Sequence, residues 1–223
     1  MIFSSGWWAA KRNVWRHRWR YHHYHSWWYW WGWSTWDDVY VWVDNDWDEG
    51  WEYEYDDNVV FDDEVVFINE EPVATAEDYI EIGEELANAD EPAEDAELEW
   101  RPLGVFLMAT TETDPDPRMM IQLVLSKDGR VGGTYHHVDT QSSRAVDGSL
   151  DKETQRIAFT IGDKSDDVCE VGLESLTRDE APMWVHFQNG RKTQTWTLIR
   201  LEAPPAAETE MKKAEKAQEA EPN

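Results

Sequence analysis

Residues 119–138 read MMIQLVLSKDGRVGGTYHHV. Ile121, Leu123 and Leu125 alternate with Gln122, Val124 and Ser126, the period of a strand with one apolar face. Lys127-Asp128-Gly129 follows, and an Asp-Gly step between two β-prone runs is a strong short-range hairpin signal. A second run then begins at Arg130 and ends near Val138. The stretch predicts two antiparallel strands joined by a tight turn.

Outward from this hairpin the same grammar repeats. Leu103–Thr110, Ala145–Leu150, Arg156–Ile161, Val168–Leu173, Met183–Phe187 and Thr193–Leu201 read as further strands. Asp151-Lys152-Glu153 and Asn189-Gly190 read as turns, with room for one brief helical turn near Leu173–Asp179. Eight strands with short sequential links predict a mainly β fold, an antiparallel meander closed as an up-and-down barrel of the lipocalin or streptavidin kind. An immunoglobulin-type sandwich is the alternative, without a Cys pair to support it. Ile157, Phe159 and Ile161 share one face, and so do Val185 and Phe187. Arg156, Ala158, Thr160, Trp184 and His186 take the other. Gly132-Gly133 suggests a bulge or sharp coil.

An eight-stranded barrel is either filled by side chains or holds one small ligand. Tyr135 and His137 share a face with Val131, which makes them the candidate ligand contacts inside, against the plainer reading of His137 as exposed or structural. Cys169, the single cysteine, shares a face with Val171 and Leu173 and reads as a small buried hydrophobe.

Charge is segregated along the chain. Residues 1–36 carry five Lys/Arg and no acid, whereas residues 37–99 carry 26 Asp/Glu and no Lys/Arg. The net charge of −27 therefore resides almost wholly in one block, which argues against nucleic acid as a partner. Residues 1–36 hold ten of the sixteen tryptophans and almost no aliphatic residues. They read as a low-complexity segment, either disordered or weakly packed. The functional reading is an adhesive arm in which Trp7, Trp8, Trp15, Trp19, Trp27, Trp28, Trp30 and Trp31 offer stacking faces and Arg16, Arg18 and Arg20 offer charge. His17, His22, His23 and His25 lack partners at a zinc-binding spacing, so neither a metal nor a cofactor is expected.

Residues 37–57 read as an acidic aromatic linker. Asp44, Asp46 and Asp48 fit the start of a calcium loop, but Glu49 stands where a glycine is needed and Tyr55 where the bidentate acid should be. Residues 58–89 predict a hairpin, Val59–Phe61 and Val65–Ile68, followed by a helix with Thr75 as N-cap, Asp78 three positions on, and Tyr79, Ile82, Gly83 and Leu86 as its apolar stripe. So small a unit needs a surface to dock on, most simply the β domain at 100–202. Residues 90–99 are an acidic linker and 203–223 a disordered tail, with a frayed helix around Met211–Ala220 as the variant.

Five motifs in order, DNVVFDDEVVFINEEPVATAEDY (57–79), EWRPLGVF (99–106), KDGRVGGTY (127–135), DGSLDKETQR (147–156) and TQTWTLIRL (193–201), resemble a planctomycete family of mu-protocadherin-like, cell-surface proteins. The resemblance covers about residues 55–202. It implies an extracytoplasmic location and a His-, Trp- and Tyr-rich stretch after a signal sequence, and it implies no activity or site residues. Two features depart from it. Met1 is followed by IFSSGWWAA, which is not a usual signal peptide, so either the protein stays inside or its true start lies upstream. Asp62, Asp63 and Glu70 stand where relatives tend to have glycine.

Three functions follow. The first is a non-enzymatic cell-surface protein whose arm engages a cell-wall or glycan polymer, or the acidic block of a neighbouring copy. The second is a small-ligand-binding barrel. The third is an enzyme, for which no G-x-S-x-G, HExxH or P-loop motif is present. No run of about 18 apolar residues exists, so no membrane-spanning helix is expected.

Overall fold

A computed structural model describes residues 2–3, 7, 26–62, 64–88, 99–110, 117–162, 165–187 and 192–219. Its frame is a closed antiparallel barrel of eight strands: β4 (Trp100–Ala109), β5 (Met119–Ser126), β6 (Arg130–His137), β7 (Ser142–Asp151), β8 (Arg156–Ile161), β9 (Val168–Gly172), β10 (Glu180–Phe187) and β11 (Lys192–Arg200). Each strand pairs with its chain neighbour, and β11 closes on β4 through Leu198 opposite Met108. The up-and-down meander expected from the turns is the observed topology. Gly129 makes the β5–β6 turn with φ 98°, a conformation that favours glycine. The Ser126 hydroxyl accepts the Arg130 amide at 2.8 Å and steadies the turn.

The inward residues form one core. Phe106, Ile121, Leu123, Leu125, Val131, Val146, Ile157, Phe159, Val171 and Met183 have no exposed surface. Cys169 lies in this core, and burial pushes its thiol far above the ordinary range. The register slip is not at Gly132-Gly133, which pair regularly with β5. It falls in β4, between Pro102 and Gly104. What Gly133 supplies is a close approach, since a Cβ there would collide with the Gln122 carbonyl oxygen.

One end of the barrel is stopped by α1 (Trp36–Val43). Residues 37–57 are therefore not a linker. Val39 and Val43, 0% and 2% exposed, belong to the barrel core. Three N–H donors bind carbonyls at this end: the Trp42 indole to Leu125 at 3.1 Å, the Trp47 indole to Lys152 at 2.7 Å and the Asn45 amide to Lys152 at 3.0 Å. The helix starts in a capping box, Thr35 accepting the Asp38 amide and Asp38 accepting the Thr35 amide. From the other edge Arg200 donates to the carbonyls of Arg178, Leu103 and Leu176 and holds the 3-10 turn Ser175–Thr177 against the same end.

A second layer lies on the barrel's outer wall. β1 (Val59–Asp62), β2 (Val65–Ile68) and β3 (Glu71–Thr75) form a three-stranded sheet, followed by α2 (Ala76–Ala87). β3 is an addition to the expected hairpin; its Pro72 is tolerated because the strand is an edge. Thr75 caps α2, accepting the Asp78 amide at 3.1 Å. The buried side of α2 is Tyr79, Gly83 and Ala87, with Ile82 48% exposed instead of in the stripe. The expected disordered tail is instead helical over α3 (Pro205–Glu219), which buries Ala207 and packs Met211 beside Phe3, Trp31, Val105 and Met120.

A linker would be indifferent to its cap. Here Thr35→Ala should lower stability by about 1 kcal/mol, read as a lower urea midpoint with an unchanged slope.

Candidate binding groove on the barrel wall

Outward residues of β8, β9 and β10 would face water on an isolated barrel. Beneath the second layer most of them are buried, and two of the buried ones, Arg156 and Glu170, are charged. Arg156 donates to both carboxylate oxygens of Glu170, from Nε at 3.1 Å and from Nη2. The two side chains are 5% and 0% exposed. Burial alone would push the Glu170 carboxyl up. The Arg156 charge, contact with His186 and the Arg156 hydrogen bonds outweigh it and hold the group below its ordinary value. Helix α2 completes the site. Arg156 Nη2 donates to the Tyr79 carbonyl at 2.7 Å, and its guanidinium lies 3.7 Å from the centre of the Tyr79 ring. A Cβ at Gly83 would collide with Glu170 Oε1, so the smallest side chain in the α2 stripe is what lets the helix lie on the ion pair.

His186 extends this array. Its Nε2 stands 3.5 Å from Glu170 Oε2, an electrostatic contact at the limit of a hydrogen bond, and its Nδ1 is 2.8 Å from the Thr193 hydroxyl. With the proton on Nε2 facing the carboxylate, Nδ1 accepts from Thr193. Thr193 opens onto a groove of about 420 Å³ lined by Asp56, Phe61, Ala76, Ile80, Trp184, Thr193 and Thr195. One wall is the second layer, the other is β10 and β11. Trp184, fully buried, stacks on Phe61 at 4.3 Å and meets Tyr55, tilted by 32°, at 4.4 Å. Asp56 stands exposed at the lip, accepting the Thr195 hydroxyl. Its φ of 71° is left-handed, and its amide is held by the Val59 carbonyl at 2.9 Å.

A hydroxyl, an imidazole and a carboxylate in succession form the pattern of nucleophilic catalysis. Here the carboxylate is already paired with Arg156 through two donors, so its charge is shared before it reaches the imidazole. The array is suited to holding the groove's floor rigid.

The structure disperses the site residues expected from the sequence. Tyr135 packs against the barrel core at the end opposite α1, beside the half-buried Met119, Ile161, Phe187 and Trp196. Burial pushes its phenol up, against the pull of the Arg144 charge. His137 is at the same end, and its Nδ1 is 3.5 Å from the Thr140 amide. Trp30 and Trp31, 1% and 7% exposed, are not a free adhesive surface. Trp30 packs with Trp100 and Val124, and Trp31 with Phe3, Val105 and Met120. Trp27 and Trp28 join the latter cluster, and Trp7 meets the His136 ring edge-on at 5.4 Å. Outward apolar residues of β4 and β5 supply the surface these rings cover. Trp8, Trp15, Arg16, Arg18, Trp19, Arg20 and the histidines at 17, 22, 23 and 25 lie outside the described residues. The groove residues come from four elements, β1, α2, β10 and β11, and from the turn before β1, up to 139 positions apart (Asp56 to Thr195), and only the outward orientation of Trp184 signals them in sequence.

No family model matches this chain, and no curated protein or solved structure matches it. The resemblance to planctomycete cell-surface proteins thus rests on the five motifs alone.

Arg156→Met leaves a buried carboxylate unanswered and should cost about 3–5 kcal/mol, while Arg156→Met with Glu170→Leu should recover most of that loss. Because the Glu170 carboxyl is lowered on folding, its contribution is present above the unfolded carboxylate range and fades as pH falls through the folded value. The double variant should therefore lose less stability than the parent on acidification. Gly83→Ala, worth about 1 kcal/mol of gain in an ordinary helix, should here destabilise. Urea titrations across pH measure all three.

Proposed function

We propose that this protein is a non-enzymatic, extracytoplasmic component of a cell surface that works by binding, its acidic outer layer receiving a basic partner. The observation that carries the proposal is the placement of charge. The block with 26 acids and no Lys/Arg includes the sheet and helix laid over the barrel wall. The adjoining 36 residues carry five bases and no acid. Opposite charge in adjacent blocks of one chain favours association between copies, or with a polymer that bridges them. The folded frame supports this reading by its rigidity, since Phe61, Trp184, Thr193 and Thr195 of the groove stand on β-strands and Ala76 and Ile80 on a helix. The cell-surface location is taken from the family resemblance.

A second reading, a small-ligand-binding barrel, is favoured by the half-buried apolar residues around Tyr135 at the end away from α1. The barrel's mid-section is occupied by side chains, so a ligand there would sit at the rim. Tyr135→Ala should weaken any apolar-ligand binding at that rim, followed by the chemical shifts of Ile161 and Phe187. Equal binding by the variant removes the reading.

The principal reading is tested by sedimentation velocity on the full chain. Association is expected at low salt and should dissolve as ionic strength rises above a few tenths molar, because exposed charges are screened beyond about 8 Å at physiological salt. Neutralising Lys11, Arg12, Arg16, Arg18 and Arg20 to Gln should abolish it. This variant is preferable to removing residues 1–36, which would strip Trp30 and Trp31 from the barrel. Salt-independent association, or none, sinks the reading.

A further inference from the structure

We propose that the groove at Asp56, Phe61 and Trp184 is the seat for one arginine side chain from the basic arm of a second copy of this chain. The inference rests on the functional reading above and specifies its contact. Three observations converge on a guanidinium.

The first is an unanswered charge. Arg101 pairs with Asp38, Arg118 with Asp139, Arg156 with Glu170, and Arg178 with Glu52, Glu54 and Glu174. Among the described residues no basic side chain pairs with Asp56, which accepts only the Thr195 hydroxyl. Its left-handed backbone, fixed by the Val59 carbonyl, is a small conformational expense that holds the carboxylate at the groove's lip.

The second is the wall beside it. Phe61 lines the groove and is backed by Trp184 at an interplanar angle of 18°. A guanidinium is flat and weakly hydrated, so it can lie on an aromatic face while donating in its plane to a carboxylate. An ammonium, compact and strongly hydrated, fits this pair of surfaces less well. The hydroxyls of Thr193 and Thr195 offer acceptors for the remaining N–H groups, and Ile80 and Ala76 suit the methylene stem.

The third is size and source. A volume of about 420 Å³ admits one long side chain with room for its donors to turn. Residues 10–20, AKRNVWRHRWR, hold all five bases of the acid-free arm, with Arg16, Arg18 and Arg20 set between Trp15, His17 and Trp19. One wall of the groove belongs to a block without a single base, although Lys192 opens the strand on the other wall, so the field of the second layer draws such a segment inward from a distance.

The test pairs variants of the full chain with synthetic arm peptides. The isotope-labelled full chain with its five arm bases changed to Gln is titrated with a synthetic peptide of residues 9–21. Amide shifts should concentrate at Asp56, Phe61, Thr193 and Thr195. Asp56→Asn in that chain should weaken binding at least tenfold, and the fold should survive because Asn tolerates the left-handed region. Asp56→Glu should restore part of the affinity. A peptide with every Arg replaced by Lys should bind several-fold more weakly. Shifts spread over the whole acidic surface, with Asp56→Asn binding as well as the parent, overturn the groove while leaving salt-sensitive association standing. In the arm-intact chain, Asp56→Asn should sediment as monomer where the parent associates. If the parent is instead monomeric at low salt, with its groove amides already shifted relative to the arm-neutralised chain, the occupant is the chain's own arm and the second copy is excluded.

Discussion

A carboxylate with no solvent exposure is tolerable only where something else answers its charge, and Glu170 sets that demand on the outside of a barrel. Arg156 meets it with two donors, but the guanidinium then has to be covered in turn. Tyr79 covers it with its ring and its carbonyl, and Gly83 lets the helix come close enough. The position of α2 follows from this pair, and the position of the three-stranded sheet follows from α2, since β3 runs into the helix without a break. Phe61 and Tyr55 then both pack on Trp184, and the groove is the gap left along that seam.

The barrel thus buries both of its faces along β8 to β10. Its interior satisfies the hydrophobic requirement of closure, as any small barrel does. Its exterior is a second, mixed core in which charges and aromatic rings alternate. That division explains why the chemistry of interest is outside. Inward residues are apolar and interlocked, whereas the outward ones retain hydroxyl, imidazole and carboxylate groups, some reaching solvent through the groove.

Much of the barrel was legible because strand alternation and turn residues are local signals. Ile121, Leu123 and Leu125 announce an inward face from six consecutive residues, and Asp128-Gly129 announces the turn. The sides of Arg156, Trp184 and His186 were legible for the same reason. That these outward residues are buried was not, because burial there depends on a layer far away in sequence, from Tyr79 over Arg156, 77 positions off, to Phe61 and Tyr55 over Trp184, more distant still. The acid-rich stretch at 37–57 misled in another way. Composition pointed to a linker, yet Thr35 and Asp38 form a capping box and Val39 and Val43 recur at helical spacing, a signal masked by surrounding acids. Trp30 and Trp31 misled similarly: a run without aliphatic residues still finds a core when the outward faces of β4 and β5 supply Val105, Met120 and Val124. Of the groove, Asp56 and Thr195 carry no mark in sequence at all.

The plug at the barrel's end has a consequence for the order of assembly. Trp42, Asn45 and Trp47 bind carbonyls of Leu125 and Lys152, between 83 and 107 residues downstream. Synthesised first, the segment has no partner until β5 to β8 have left the ribosome and paired. Throughout that interval its tryptophans and valines are in water, where bare aromatic runs invite aggregation. Asp37, Asp38, Asp44, Asp46 and Asp48 flank those rings closely and give the waiting chain a repulsive charge that gatekeeps it. The acids are then useful twice, first to the nascent polypeptide and afterwards on the finished surface.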